Sequence, residues 1–293
     1  MKTKIVSAIY FDLHGTDLGG RPSRNDHYLY SMNSIMHIDG CQFIIYTNDK
    51  NRVDNFFQQH YPDKINKFFT IEYNLYNTEY RDGINALKDI NFTITSMRCI
   101  ELQYSKLSWM KTNMGDCDYL YWLDAGLCYT GLLPDKYLKI NSHYYNRYYG
   151  SDIFTLKLIE NINNTIDDKI FIIGKENQQF FWDLDLPDKY YKFGKDLSFH
   201  VIGGMFGGKS HHINTLYTQF YELCNNLLQN EHTLYSEENI LTAIYFNNKD
   251  KFYMETFDVW WHENNIAGSI NLDNIEEFLL KYKSFYKILE KFF

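Results

Sequence analysis

Little in this 293-residue chain calls for staples or anchors. Its five cysteines (Cys41, Cys99, Cys117, Cys128, Cys224) are odd in number and never spaced C-x-x-C. That argues against a disulfide framework and a structural zinc site, and for a reducing compartment. Only four prolines occur, with no Gly/Ser tract, so no flexible linker is evident. No apolar run reaches the ~18 residues of a membrane span. The short apolar start, Ile5 to Tyr10, meets Asp12 without a cleavage site, which reads as a first strand rather than a signal peptide. A cytoplasmic protein is expected. No period of about 20–50 residues recurs, which argues against a solenoid. A surplus of basic residues is also missing. The net charge is −8 and the pI near 5.7, which argues against a nonspecific nucleic-acid binder.

Aromatic residues are abundant, at 18% with 26 Tyr and 22 Phe. Codon bias of an AT-rich genome accounts for much of this, although flat rings also line grooves for sugars and bases. The patterning is that of alternating β and α elements, hence an α/β fold with a mostly parallel sheet. Strands are expected over 4–10, 42–47, 67–73, 119–123, 169–173, 199–202 and 251–257. Helices are expected over 25–37, 50–60, 96–113, 211–229, from about 236, and over 275–293. The stretch 127–165 reads as loop with helix fragments.

Several constellations carry chemistry. The apolar strand Tyr119-Leu120-Tyr121-Trp122-Leu123 ends in Asp124-Ala125-Gly126. That places a carboxylate at the carboxyl edge of a parallel sheet, where ligands of open α/β sheets bind. Small residues after it let a phosphate and a metal approach the backbone. The bland alternative is a turn or cap. Asp116-Cys117-Asp118 also spells D-x-D, but five strand residues separate it from Asp124, about 16 Å. It belongs to the amino edge and to a turn.

Gly203-Gly204-Met205-Phe206-Gly207-Gly208-Lys209-Ser210 satisfies G-x-x-x-x-G-K-S, the phosphate-binding loop pattern. Bulky Met205 and Phe206 inside it, and the short stretch of chain after it, weigh against a nucleotide phosphohydrolase. Bare backbone at Gly203-Gly204 still suits close approach of a ligand. Glu237 and Glu238 stand at a helix start, where the dipole favours a carboxylate, either as a cap or as a general base. His262, beside Trp260 and Trp261, is a metal-ligand candidate or a packed imidazole. Residues 281–291 carry four Lys against one Glu, so the amphipathic C-terminal helix either docks on the core or touches an anionic bilayer.

Together, the opening strand Ile5–Asp12 with Arg21 and Arg24 after it, Phe43–Asn48, Trp122–Gly126, Val201–Gly208 and Tyr235–Leu241 resemble a GT-A-type glycosyltransferase. More narrowly, they resemble the bacterial HtrL/YibB-type family. The likeness spans about residues 4–245. It implies one GT-A-like catalytic domain over 1–265, with a nucleotide-binding region over 1–126 and an acceptor region over 127–265, and a helical tail over 266–293. The implied activity is transfer of a hexose from a nucleotide diphospho-sugar, most simply a UDP-sugar, to a glycan or glycolipid acceptor in surface polysaccharide or lipooligosaccharide synthesis. By the same resemblance Ala8 and Tyr10 lie against the base, Arg24 near a phosphate and Lys106 on the donor. Asp124, with Ala125 and Gly126 beside it, and His262 hold Mn²⁺ or Mg²⁺. Gly203 and Gly204 border the donor sugar, and Glu237 or Glu238 faces the acceptor hydroxyl. The family pattern has a second aspartate where this chain has Gly126. That departure motivates the alternative of a relative that binds sugar nucleotides or glycans without turnover.

Overall fold

The computed structural model describes residues 2–13, 28, 29, 32, 40–87, 97–125, 156–176, 186–194 and 199–258. In chain order the elements are β1 (Thr3–Ile9), β2 (Cys41–Thr47), α1 (Lys50–His60), β3 (Phe68–Glu72), α2 (Arg81–Ala86), α3 (Met97–Thr112), β4 (Tyr119–Leu123), α4 (Leu156–Ile166), β5 (Ile170–Glu176), β6 (Phe199–Lys209), α5 (Ser210–Gln229), α6 (Glu237–Asn247) and β7 (Phe252–Asp258). The expected helices over 25–37 and 275–293 lie outside the described residues, apart from isolated positions in the first.

The strands form one seven-stranded sheet in the order β3-β2-β1-β4-β6-β5-β7. β1 pairs in parallel with both β2 and β4, β2 with β3, and β5 with β7. β6 alone runs against its neighbours β4 and β5. This is the mixed, mostly parallel, Rossmann-like sheet of the GT-A architecture, with helices on both faces. The chain steps outward from β1 to β3 and then returns to β4 on the other side of β1. That reversal opens a crevice beyond the carboxyl ends of β1 and β4.

Alternation explains why these strands are apolar throughout. Val6, Ile44, Trp122 and Ile172 enter the core under α2, α3, α5 and α6, while Ile5, Ile45, Tyr121 and Ile173 enter the core under α1 and α4. Local signals set the helix ends. The Asp49 side chain accepts from Arg52 N–H to start α1, and Pro62 stands two residues past its end. Ser236 caps α6 by accepting from Asn239 N–H.

The strand expected over 199–202 runs on to Lys209, in keeping with the weight of Met205 and Phe206 against a phosphate loop. The glycine segment is not a phosphate-binding loop: Gly207 and Gly208 stand opposite Tyr121 and Leu120 in the β4–β6 ladder, and Lys209 Nζ reaches Asp168 at 2.9 Å. Amides committed to a ladder do not cradle phosphates. Some of the stretch read as loop and fragments is α4, whose buried Ile159, Ile162 and Ile166 repeat at helical spacing. The D-x-D at Asp116–Asp118 does sit in a turn, with Asp116 at a φ of 54° and Asp118 accepting from Lys2 N–H.

Candidate functional site

The end of β4, the middle of β6 and the start of α6 meet beneath α3. Val6 pairs with Trp122, so Ala8 and Asp124 stand level, two residues further along adjacent parallel strands. The backbone N–H of Asp124 donates to Gly204 O at 2.8 Å, which ties the end of β4 to the double glycine of β6. Trp122 and Asp124 share a strand face at i, i+2, and the indole Nε1–H donates to Asp124 Oδ1 at 2.7 Å.

Lys106 enters from α3 and is buried. Its ammonium has three protons and meets three acceptors: Asp124 Oδ1 at 3.1 Å, Glu237 Oε1 at 2.5 Å and Gly203 O at 3.1 Å. One side chain thereby joins three elements. Gly203 fits because it has no Cβ; an added one would overlap Glu237 Oε1 and lie 3.2 Å from Lys106 Nζ. The two glutamates divide. Glu237 is 5% exposed and points inward, with Oε2 unpaired, whereas Glu238 is 29% exposed and Oε1 accepts from Gly203 N–H at 2.9 Å. Behind Glu238 lies buried His200, with Nε2 3.9 Å from Glu238 Oε2 and Nδ1 3.3 Å from Thr242 Oγ1. Asp124 is 37% exposed. Its Oδ2 makes no hydrogen bond among the described residues and is the oxygen left for a ligand.

Three carboxylates thus gather around the ammonium of Lys106. Burial pushes the Glu237 carboxyl up to about 7, against the pull of Lys106, and the Glu238 charge adds to the rise. Burial also raises Asp124, offset by Lys106, while the carboxylates around Lys106 hold its ammonium protonated well above the usual range. A carboxyl with its pKa raised in the folded state stabilises the protein most below the unfolded value of 4.5 and loses that contribution as pH rises through about 7. Across that window stability is expected to fall by up to ~1.4 kcal/mol per pH unit. Thermal unfolding of wild type and Glu237→Gln at about pH 5 and about pH 8 checks this. The variant is expected to show the smaller fall, and equal falls would contradict the assignment.

Further along the same edge, Tyr10 donates to Tyr73 O at 2.8 Å, and Asn48 bonds both N–H and C=O of Phe11 at 2.9 Å, so the ends of β1, β2 and β3 are laced together. They enclose a cleft of about 210 Å³ lined by Tyr10, Leu13, Asn48, Tyr73, Tyr76 and Glu101 among others. Stacked Tyr46, Trp109 and Trp122 run beneath it toward Lys106, whose ammonium lies 5.3 Å from the Trp122 ring centre. Burial holds the Tyr10 phenol far above its ordinary value, so it stays protonated.

Of the residues singled out from sequence, Ala8, Tyr10, Lys106, Asp124, Gly203, Gly204, Glu237 and Glu238 line or adjoin this edge. Ala125 is buried in the core on the other face. Arg24, Gly126 and His262 lie outside the described residues, as does 275–293. Among the described residues no helix is long and apolar enough to cross a membrane. Sequence reasoning missed Trp122 as a partner of Asp124, although the W-x-D spacing carried the signal, and missed His200 and Thr242, which no local pattern marks.

A second cluster, Asp168, His211 and His212, has three ligand atoms within 4.8 Å of one another, a geometry that metal sites share. Asp168 Oδ1 already accepts from Lys209 and faces His212 Nε2 at 3.1 Å, and these bonds hold its carboxyl down to about 2. Lys209 pairs with Tyr119 at the start of β4, so this cluster is at the opposite edge of the sheet from Asp124. It cannot complete a shell there.

The chain matches no protein-family model and no curated protein. Among solved structures it is similar to 4-diphosphocytidyl-2C-methyl-D-erythritol synthase from Anaerococcus prevotii, at 10% identity and a TM-score of 0.41, over 96% of this chain and 95% of that one. It is also similar to mouse xyloside xylosyltransferase 1 in its apo form, at 9% identity and a TM-score of 0.47, over 98% and 94%. Neither likeness carries weight for function at these values, and the site's own residues bear the functional reading.

Proposed function

We propose that the protein transfers a sugar, a hexose in the simplest case, from a nucleotide diphospho-sugar such as a UDP-sugar to a hydroxyl of a glycan or glycolipid acceptor. The observation that carries this reading is the meeting of Asp124, the half-buried Gly204 backbone and Glu238 at the carboxyl edge of the sheet, next to the aromatic cleft at Tyr10. In this reading the base lies in that cleft, near Tyr10 and Ala8. The sugar lies over Gly203 and Gly204, and Arg24 serves a phosphate. Glu238 takes the acceptor proton, because it is the glutamate with solvent access and its Oε1 is fixed by Gly203 N–H. Glu237 stays inside and holds Lys106.

The donor set suits a hard divalent cation: an open carboxylate oxygen, Asp124 Oδ2, in a cluster whose carboxylates outnumber the ammonium they surround. Asp124, with His262 as a further ligand, would hold Mn²⁺ or Mg²⁺. When bound, the ion supplies charge neutralisation to the diphosphate leaving group. The chain's own work is to orient Asp124 through Trp122 and Lys106 and to hold Glu238 in reach of a hydroxyl.

A binding-only relative is the second reading, favoured by Gly126 in place of a second aspartate. Calorimetric titration with UDP-sugars in the presence of Mn²⁺, alongside assay of donor hydrolysis, tests both. The transferase reading expects binding with slow hydrolysis, and Asp124→Asn weakening the affinity roughly tenfold or more. Binding with no release of UDP under any condition favours the second reading. Absence of binding contradicts both.

A further inference from the structure

We infer that Asp168, His211 and His212 form a surface site for a borderline divalent transition metal, Zn²⁺ in the simplest case, separate from any cation at the Asp124 edge. His211 and His212 are the second and third residues of α5, and side chains at successive helix positions ordinarily diverge by about 100°. Here both turn to one carboxylate. His212 Nε2 stands 3.1 Å and His211 Nε2 3.9 Å from Asp168 Oδ1, and the two ring centres are 4.0 Å apart. Ligand atoms about 2.1 Å from a tetrahedral ion stand about 3.4 Å from one another. The cluster therefore already has nearly the spacing of three bound ligands, and it leaves a fourth position to water. The backbone that carries it is well fixed. Asp168 sits in the turn between α4 and β5, closed by Lys169 N–H donating to Ile166 O at 3.0 Å. Gly208 lets β6 pass so close to that turn that an added Cβ would lie 2.9 Å from Lys169 O.

The donor set selects the ion. Two imidazoles and one carboxylate suit Zn²⁺, Co²⁺, Ni²⁺ or Cu²⁺, whereas Mg²⁺ and Ca²⁺ prefer oxygen ligands alone. The spot already draws a cation: Lys209 Nζ lies 2.9 Å from Asp168 Oδ1, despite the positive end of α5 nearby. Lys209 ends β6 and its side chain is 33% exposed, so it can swing into water when an ion takes the carboxylate. Lys209 is thus the competitor of the metal. Asp168 and His211 are exposed and His212 is half-buried, so an ion reaches all three without opening the core. A bound ion clips the α4–β5 turn to the start of α5, across 44 residues of sequence.

Calorimetric titration of Zn²⁺ into the full chain, with Mn²⁺ in parallel, tests this. Wild type and Asp124→Asn are both titrated, so that an ion at the end of β4 is counted apart from one at this cluster. In both, one Zn²⁺ per chain is expected at the cluster, bound roughly tenfold or more tighter than Mn²⁺. Asp168→Ala, His211→Gln and His212→Gln are each expected to weaken that binding by roughly tenfold or more. Lys209→Gln is expected to tighten it by about threefold, a gain that misfolding does not produce. Zn²⁺ binding that is absent, that survives loss of either histidine at full strength, or that Lys209→Gln leaves no tighter overturns the inference. Each of those results leaves the donor reading standing, since none of these side chains belongs to the Asp124 edge.

Discussion

Replacement of Lys106 by Met is expected to destabilise the protein by about 3–5 kcal/mol, the cost of breaking a buried ion pair from one side. Methionine fills nearly the same volume, so the loss is not one of packing. What remains is Asp124 and Glu237 facing each other without the ammonium that now bonds both, and Gly203 O without its donor. The burial that already lifts Glu237 toward neutrality then acts unopposed. Urea unfolding at neutral pH measures the effect. The double variant Lys106→Met, Glu237→Gln is expected to recover a substantial share, because it removes the carboxylate left stranded. A single variant within ~1 kcal/mol of wild type would show that the three bonds at Lys106 do not hold the edge together.

Gly203→Ala is expected to have the next largest effect, and chiefly on the site. The new methyl group would overlap Glu237 Oε1 and stand 3.2 Å from Lys106 Nζ, so the ion pair must shift or the β6 backbone must move. Overpacking of this kind costs about 1–3 kcal/mol. The displaced pair also holds Asp124 through Lys106, so affinity for a UDP-sugar is expected to fall by roughly tenfold or more. Gly115→Ala is the matched control, since an added Cβ there meets nothing within 4 Å. Binding to the Gly203 variant at wild-type strength would mean that the ligand does not depend on Asp124 as Lys106 holds it.

Much of the fold was legible because its strands are buried on both faces and its helices carry ordinary end signals. Lys50–His60 and Tyr119–Leu123 fall where the sequence puts them. The glycine segment misled because glycine is a weak strand residue and the G-x-x-x-x-G-K-S spacing points to a loop. β6 continues to Lys209 regardless, because Gly207 lies against Leu120 O and Tyr121 Cα, where a side chain has no room. Glycine there serves close strand approach.

The carboxylate at the end of β4 was legible from an apolar run ending in Asp-Ala-Gly. Its environment was not. Lys106 meets Gly203 and Glu237 across 97 and 131 residues of sequence, and His200 meets Thr242 across 42. No local pattern encodes such pairings. The division of labour between Glu237 and Glu238 likewise depends on which way the first turn of α6 faces β6, which adjacent identical residues cannot reveal.

The most direct test of the central claim is a crystal structure of the protein soaked with a UDP-sugar and Mn²⁺. The account predicts the uracil in the cleft at Tyr10, Asn48 and Tyr76, and the sugar over Gly203 with a hydroxyl on Asp124 or Glu238. A nucleotide-sugar ordered elsewhere, with Asp124 and Gly203 untouched, would contradict it.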